Sequence, residues 1–257
     1  MIAPEDAAAL IADVVIVGFE NVPPRELRQR AWLELAAFDI THIQHRVERA
    51  AVINGGFEAH LDGGRRVHSK AIILAGGMRY LPSVDAEGID GLWGTRVFHC
   101  PFCHGWEVRG TRIAVIAAKA DQVAHATGML ALWSDDVHPI TDAFSAVREC
   151  PNGALEVHHA GRVTLVDAVL CAPQFEAVDD LPEQLGLTRS TREPMFSEPL
   201  AIDSDDFGAT GIDGVYVAGD LTSGLPSVPT AIASGAMAAF GVVRYVATPG
   251  VTRISRS

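Results

Sequence analysis

The chain has 257 residues, of which 48% are hydrophobic and 20% are charged, and this composition is typical of a folded protein rather than a disordered one. The formal net charge of −12 disfavours binding to nucleic acid and to anionic membrane surfaces, because both attract Lys and Arg. The sequence shows neither an apolar run of about 18 residues nor a cationic leader, so we expect a cytoplasmic protein with no membrane association.

Three elements are predicted before residue 40. An Ala-rich stretch at 4–12 predicts a short helix, and the β-branched run at 13–18 predicts a buried parallel strand. A further helix is predicted to begin at Pro23 and Pro24, since apolar residues recur after them at three- and four-residue spacing. The chain therefore opens with a helix, a strand and a helix.

The next part of the chain is predicted to be mainly β-structure. Turn signals at Gly55 and Gly56 and at 62–64 separate short alternating runs between residues 40 and 70. The apolar run at 71–75 then predicts a buried strand that ends at two glycines. We expect short strands separated by turns, followed by one buried strand.

Strands and helices alternate again in the second half of the chain. Buried strands are predicted at 112–116, 163–172 and 214–218. Helices are predicted at 122–133 and, rich in small residues, at 231–243. This alternation is typical of an α/β fold with a mostly parallel sheet.

The segment 98–107, Phe-His-Cys-Pro-Phe-Cys-His-Gly-Trp-Glu, is the most informative part of the sequence. The spacing of Cys100 and Cys103 lets two sulfurs form a disulfide, and a thiolate of such a pair attacks another disulfide. His104 follows directly, and its imidazole could pass on the proton that thiol oxidation releases. We predict Cys100, Cys103 and His104 as the catalytic residues of a redox site.

Two other interpretations of this segment are open. His99 and His104 together with the cysteine pair have the ligand types of a zinc site, although structural zinc sites usually take ligands from a distant segment as well. The cysteines could also be inert structural residues. We favour the redox interpretation and predict no metal site. Trp106 beside the pair could be a core residue or line a small apolar substrate site.

The segment Cys100–Glu107 resembles the active-site segment of the dithiol oxidases that close the disulfides of gliotoxin and holomycin, a branch of the thioredoxin reductase-like flavoproteins. Most thioredoxin reductases have Asp at the position of His104. The run at 71–77 resembles the strand and turn before the crossover into the second domain of this family, and the run at 214–220 resembles its closing flavin motif. The resemblance extends over most of the chain from about Pro23 onward.

The resemblance implies a set of cofactor-binding residues for FAD. They are Gly76, Gly77, Gly219, Asp220, Thr230, Ala231 and Ile232. By this resemblance Asp220 would hold the ribityl or phosphate region, and 230–232 would begin the helix beneath the isoalloxazine. Cys103 would face the flavin and Cys100 would meet the substrate thiol.

The sequence departs from the family pattern at the first nucleotide motif. The first strand of such a fold runs into GxGxxG, whose glycines let backbone amides approach the pyrophosphate. Here Gly18 is followed by the bulky Phe19. One interpretation is that the first strand and its glycines are missing, so that 4–12 is the remnant of the first helix and 14–17 is the second strand.

A second departure lies in the middle of the chain. The run at 117–121, after the predicted strand at 112–116, has no glycine motif, and no Arg cluster follows the strand at 137–140. We therefore predict that the protein does not use NADPH. This absence agrees with the dithiol oxidase branch, in which oxygen closes the cycle.

The predicted architecture consists of two Rossmann-like units, of the FAD- and NAD(P)-binding type, with the second inserted into a truncated first. The FAD-type unit is assigned to 1–98 and 206–257, and the degenerate NADPH-type unit to 99–205, which carries the cysteine pair. The resemblance implies a homodimer.

Three functions are compatible with the sequence. The first is oxidation of a dithiol in a small natural product or peptide, with FAD and oxygen. The second is a flavin-free descendant of this fold, in which Cys100, Cys103 and His104 perform thiol exchange or a non-redox modification of a natural product. The third is a resistance or binding protein that sequesters a dithiol or a soft metal.

Overall fold

The structure, a computed structural model, describes residues 16, 18–19, 22–189, 200–222 and 226–248. The predicted helix at 4–12 and all of the predicted strand at 13–18 except Ile16 and Gly18 lie outside the described residues.

The described elements are short strands with a few helices between them. The helices are α1 (Pro24–Ala37), α2 (Ile89–Leu92), α3 (Pro101–His104), α4 (Ala120–Leu130), α5 (Leu181–Gln184) and α6 (Val228–Ala247). The strands are β1 (Val47–Ile53), β2 (Gly56–Leu61), β3 (Arg66–Ser69), β4 (Ile72–Leu74), β5 (Met78–Pro82), β6 (Val97–Phe98), β7 (Ile113–Ile116), β8 (Val137–Pro139), β9 (Phe144–Glu149), β10 (Leu155–His159), β11 (Arg162–Val166), β12 (Ala168–Cys171), β13 (Pro173–Ala177) and β14 (Val215–Val217).

The chain divides into two compact units. The first unit comprises Ile43–Arg79 and Phe175–Ser257, and the second comprises Tyr80–Gln174 together with α1. The strands through which the chain passes from one unit to the other, β5 and β13, pair as a two-stranded sheet. The predicted assignment of 1–98 with 206–257 and of 99–205 to two nucleotide-binding types stays a prediction.

The first unit combines an antiparallel meander with a parallel strand pair. Strands β1, β2 and β3 are antiparallel neighbours, and the predicted turn signals lie between them. Strand β4 pairs in parallel with β14. Phe57 of the meander packs in one buried cluster with Leu74, Val215 and Val217, so the meander and the parallel pair share a core.

The second unit is built on a four-stranded parallel sheet in the order β6-β12-β7-β8. Helix α4 connects β7 to its parallel neighbour β8, which makes a βαβ unit. All four residues of β7 and all four of β12 are buried, as expected for strands that are covered on both faces. The predicted α/β class is confirmed.

The predicted single strand at 163–172 is wrong, because the chain forms two strands there. Strand β11 belongs to an antiparallel sheet in the order β11-β10-β9, whereas β12 belongs to the parallel sheet. Asp167 lies at the break, where its carboxylate accepts hydrogen bonds from the backbone N–H and the guanidinium of Arg112. Most residues of β11 are exposed, whereas all four residues of β12 are buried.

Two helices differ from their predictions in burial or in length. Helix α1 forms after Pro23 as predicted, but none of its residues is buried, and Phe38 just beyond it is 76% exposed. Helix α6 is longer than the predicted 231–243. Although the sequence predicted no membrane span, α6 has 20 residues and a mean hydropathy of 1.4, enough to cross a membrane by length and composition. One such helix is weak evidence, because core helices of soluble proteins pass the same test.

The core of the second unit predicts a specific loss of stability. Leu155 of β10 is fully buried, whereas Leu165 of the neighbouring strand β11 is 49% exposed. Because Leu155→Ala leaves a cavity in the core, we expect it to lower the free energy of unfolding by about 2–5 kcal/mol, measured by chemical denaturation. Leu165→Ala is the matched control and should cost less than about 1 kcal/mol. Equal losses for the two variants would contradict this assignment of the core.

Candidate active site

The cysteine pair of the second unit forms a disulfide directly after β6. Cys100 and Cys103 are joined with a Cα–Cα distance of 5.3 Å. Pro101 occupies the first turn of α3, where its missing N–H costs no hydrogen bond. Cys100 caps this turn, since its Sγ accepts a hydrogen bond from the backbone N–H of Cys103 at 3.2 Å. The local sequence therefore builds a helical turn with the disulfide at its start.

His104 lies at the end of the same turn and is buried. Its Nδ1 lies 3.4 Å from the carbonyl oxygen of Cys100, and its ring lies 5.5 Å from the ring of Phe98. The third predicted catalytic residue is thus held within one helical turn of both cysteines. Its catalytic role stays a prediction.

The structure adds His99 to the surroundings of the disulfide. Its ring centroid lies 5.0 Å from that of Tyr80, 5.7 Å from that of Trp93 and 6.4 Å from that of His104. Burial, and secondly the charge of His104, lower the pKa of His99 to about 4, so its imidazole is neutral at pH 7. The sequence had suggested His99 only as a metal ligand. Its position directly before Cys100 was the available signal.

The remaining two cysteines are free thiols. Cys171 of β12 is fully buried, and burial raises the pKa of its thiol to about 11. Cys150 is half-buried. Within the described ranges, no group of three or more His, Cys, Asp or Glu side chains is arranged to hold a metal ion.

The residues predicted to bind the flavin lie in the first unit, at one edge of the parallel pair. Leu74 and Val217 are register partners at the carboxyl ends of β4 and β14. Gly76 and Gly77 follow one strand, and Gly219 with Asp220 follows the other. The parallel pairing therefore brings these two short segments to the same edge, which is where open α/β sheets bind ligands.

A small cleft opens at this edge. Gly76, Gly77 and Leu221 line it together with Asp179, and its cavity volume is about 10 Å³, room for about one water molecule. A side chain at Gly76 would place its Cβ 3.2 Å from the Asp179 Oδ2, so the glycine permits this close approach. A cleft of this volume holds a water molecule but not a larger ligand.

Thr230, Ala231 and Ile232 are the third, fourth and fifth residues of α6. Ser227 caps the helix, because its Oγ accepts a hydrogen bond from the backbone N–H of Thr230. The side chain of Ile232 is 55% exposed. These three residues begin a helix as the resemblance implied, and their role in cofactor binding stays a prediction.

The described residues fit one end of a flavin nucleotide better than the other. Gly77 and Gly219 both have positive φ, and a Cβ at either position would meet nothing closer than 3.9 Å, so a ligand can approach the backbone there. The backbone N–H of Gly219, however, donates to the Ser234 Oγ at 2.8 Å. The described part of the chain contains no glycine-rich turn at a helix N-terminus for a pyrophosphate. Of the two ends of such a cofactor, the pyrophosphate end is therefore the one that lacks a binding element among the described residues.

Comparison with known proteins gives relatives of one kind. No family model matches the chain. It is 25% identical over 217 residues to thioredoxin reductase sirT of Leptosphaeria maculans, with 70% of this chain and 64% of the relative covered. It is 24% identical over 261 residues to thioredoxin reductase tcpT of Claviceps purpurea, with 87% of this chain and 78% of the relative covered. The chain thus spans slightly less than two thirds of the length of sirT.

Solved structures share the fold. An oxidoreductase from Agrobacterium tumefaciens superposes with a TM-score of 0.82 at 27% identity, covering 95% of this chain and 87% of the other. The protein HlmI superposes with a TM-score of 0.82 at 22% identity, covering 94% of this chain and 82% of the other. Together with the curated relatives, these similarities confirm the resemblance predicted from the sequence.

The burial of Cys171 predicts its reactivity. Raising the thiol pKa from 9.0 to about 11 lowers the thiolate fraction at pH 8 about hundredfold. We therefore expect iodoacetamide to label Cys171 at least about a hundredfold more slowly in the folded protein than in urea, with the rate rising as pH rises towards 11. Mass spectrometry after timed quenching measures the rate. Equal labelling of Cys171 in folded and unfolded protein would show that the thiol is not buried.

Proposed function

We propose that this chain, a thioredoxin reductase-like protein, is a thiol–disulfide oxidoreductase that converts the dithiol of a small molecule or peptide to a disulfide. The Cys100–Cys103 disulfide carries the proposal. Both cysteines are half-buried, so the pair is neither a fully enclosed structural link nor a freely solvated one. The names of the curated relatives, both thioredoxin reductases, support an oxidoreductase.

The exchange needs two successive displacements. A substrate thiolate attacks the Cys100 Sγ, which forms a mixed disulfide with the substrate and releases Cys103 as a thiolate. The second substrate thiolate then attacks the substrate sulfur of that mixed disulfide, which closes the product disulfide and releases Cys100. Two electrons pass from the substrate to the cysteine pair, and the two substrate protons pass to the cysteine thiolates or to solvent.

Two groups of the loop would assist this exchange. The N–H of Cys103 that points at the Cys100 Sγ would stabilise negative charge on that sulfur as it leaves in the second displacement. His104, buried at the end of the same turn, is the group within the loop that would hold or move a proton during exchange. We assign these two roles as part of the proposal.

A flavin with oxygen as the final oxidant completes the proposed cycle. Gly77, Gly219 and Asp220, with Thr230, Ala231 and Ile232, are the residues that would hold its ring and ribityl end. When bound, FAD would accept the two electrons of the reduced cysteine pair and pass them to oxygen, which becomes hydrogen peroxide. The chain is proposed to work without NADPH, since the run at 117–121 has no glycine motif.

Two observations favour a second candidate function, a flavin-free descendant of this fold. The sequence has no glycine motif for the pyrophosphate, and Ser234 occupies the Gly219 amide. In that case the same cysteine pair would exchange disulfides with a dissolved acceptor. Sequestration of a dithiol or a soft metal is a distinguishable third outcome of the first test below.

Replacement of one cysteine tests the exchange. We expect Cys103→Ser to lower turnover of a small dithiol by about 100-fold or more, because no intramolecular disulfide remains to accept two electrons. Loss of substrate thiols over time is the measurement. Cys150→Ser is the matched control and should keep full turnover. Unchanged turnover in Cys103→Ser would overturn the proposed function, and stoichiometric uptake of dithiol without turnover in the wild type would indicate sequestration.

The visible absorption spectrum tests the cofactor. We expect purified protein, or protein incubated with FAD, to show a flavin band that is released on denaturation. Asp220→Ala should retain less flavin than Asp213→Ala, because Asp213 is an exposed carboxylate before β14 and not part of the proposed site. A protein that is colourless and fails to take up added FAD would contradict the flavin-dependent cycle and favour the flavin-free candidate.

A further inference from the structure

Two large aromatic side chains stand exposed beside the disulfide and have no part in the exchange described above. Phe102, between the two cysteines, is 63% exposed, and Trp106 is 61% exposed. Arg109 follows Trp106 on the same loop and is also exposed. We call these three side chains the aromatic platform. Exposed aromatic side chains at a reactive group need an explanation, since burial of each would be favourable.

The aromatic platform lies on the turn that begins at α3 and continues to Gly110. The N–H of Gly105 donates to the carbonyl of Pro101, and the N–H of Val108 donates to the carbonyl of His104. Phe102 and Trp106, four residues apart, are both exposed residues of this short turn. The cysteine pair is part of that turn. Each ring therefore belongs to an exposed residue within three positions of a cysteine of the pair.

Trp106 is held in place although it is exposed. The guanidinium carbon of Arg109 lies 3.9 Å from the centre of the Trp106 ring, and Arg109 Nη1 donates to the Trp106 carbonyl at 2.5 Å. The Trp133 ring packs edge-on at 6.3 Å. Gly105 allows this packing, because a Cβ there would come within 2.5 Å of the Trp133 Nε1. A ring fixed before binding loses little conformational entropy when a ligand packs against it.

We propose that the aromatic platform binds the planar, apolar part of a small uncharged dithiol and so sets the specificity of the exchange. This inference rests on the proposed function, because it names the substrate class of the same disulfide. Ring-on-ring contacts with Phe102 and Trp106 would place the two thiols of such a substrate at the Cys100–Cys103 bond. Aliphatic dithiols reach the sulfurs without this contact.

The size and charge of the aromatic platform favour a small molecule over a protein. Stable protein–protein interfaces bury about 1,200–2,000 Å² in total, far more than two aromatic side chains supply. The charged residues next to Trp106 in sequence are one acid, Glu107, and one base, Arg109, both exposed, and their charges cancel. A neutral planar ligand matches both features.

A single-turnover experiment compares dithiols on the oxidised protein. The probes are benzene-1,2-dimethanethiol, which is planar and uncharged, dithiothreitol, which is uncharged but not planar, and reduced thioredoxin as a protein dithiol. Without oxygen, reduction of Cys100–Cys103 is followed by alkylation and mass spectrometry, so that no flavin is needed. Phe102→Ala and Trp106→Ala are the test variants, Trp106→Phe keeps a ring, and Phe240→Ala, 68% exposed on α6, is the matched control.

We expect the reduction rate to fall selectively for the planar dithiol. Phe102→Ala and Trp106→Ala should each slow reduction by benzene-1,2-dimethanethiol about three- to tenfold, the effect of one aromatic contact, while the rate with dithiothreitol changes less than about twofold. Trp106→Phe and Phe240→Ala should stay close to wild type. Equal slowing with both small dithiols, or no slowing with either, would overturn the inference. The inference would also be overturned if reduced thioredoxin were the fastest probe and its rate depended on Trp106.

A binding measurement separates failure of this inference from failure of the proposed function. The S-methylated form of benzene-1,2-dimethanethiol cannot exchange disulfides, and its dissociation constant for the Cys100→Ser/Cys103→Ser protein is measured by calorimetry. We expect binding that weakens about three- to tenfold on Trp106→Ala. If no dithiol reduces the wild type but this binding is seen, the proposed function fails and the aromatic platform stands. If the analogue does not bind, the aromatic platform fails.

Discussion

The parallel pairing of β6 with β12 is the interaction on which the candidate active site depends. Val97 and Phe98 are register partners of Val169 and Leu170, and all four side chains are buried. Strands that are covered on both faces have a strongly fixed position, because a shift in either direction exposes apolar surface or buries polar groups. Since β6 ends at Phe98, this pairing fixes where the chain leaves the sheet, and Cys100 lies only two residues beyond.

The loop that begins there has two sides with different physical roles. Pro101 and His104 are buried and attach the helical turn to the second unit, whereas Phe102 and Trp106 stay exposed. The disulfide between these sides is half-buried. A short helical turn separates the sides because its side chains project in different directions every one or two residues. Anchoring, thiol exchange and substrate contact can therefore coexist in fewer than ten residues.

Much of the candidate site was predictable from local sequence. The spacing of the cysteines predicted their disulfide, and the apolar runs before Gly76 and Gly219 predicted the two buried strands that form the parallel pair. His99 was missed as a neighbour of the site because its surroundings are the rings of Tyr80 and Trp93. Tyr80 is distant in sequence, and a turn separates Trp93 from His99. No sequence pattern reports the desolvation that keeps its imidazole neutral.

The sequence by itself determined the types and order of most described elements, the α/β class and the position of the cysteine pair, because hydrophobic periodicity and short spacings are local properties. Tertiary structure decided which sheet each strand joins. It split 163–172 into β11 and β12, since the two halves pair with different partners. It also left α1 without a buried residue and Trp106 exposed but fixed by Arg109. Burial and pairing depend on what the rest of the chain places against a segment, and local composition does not contain that information.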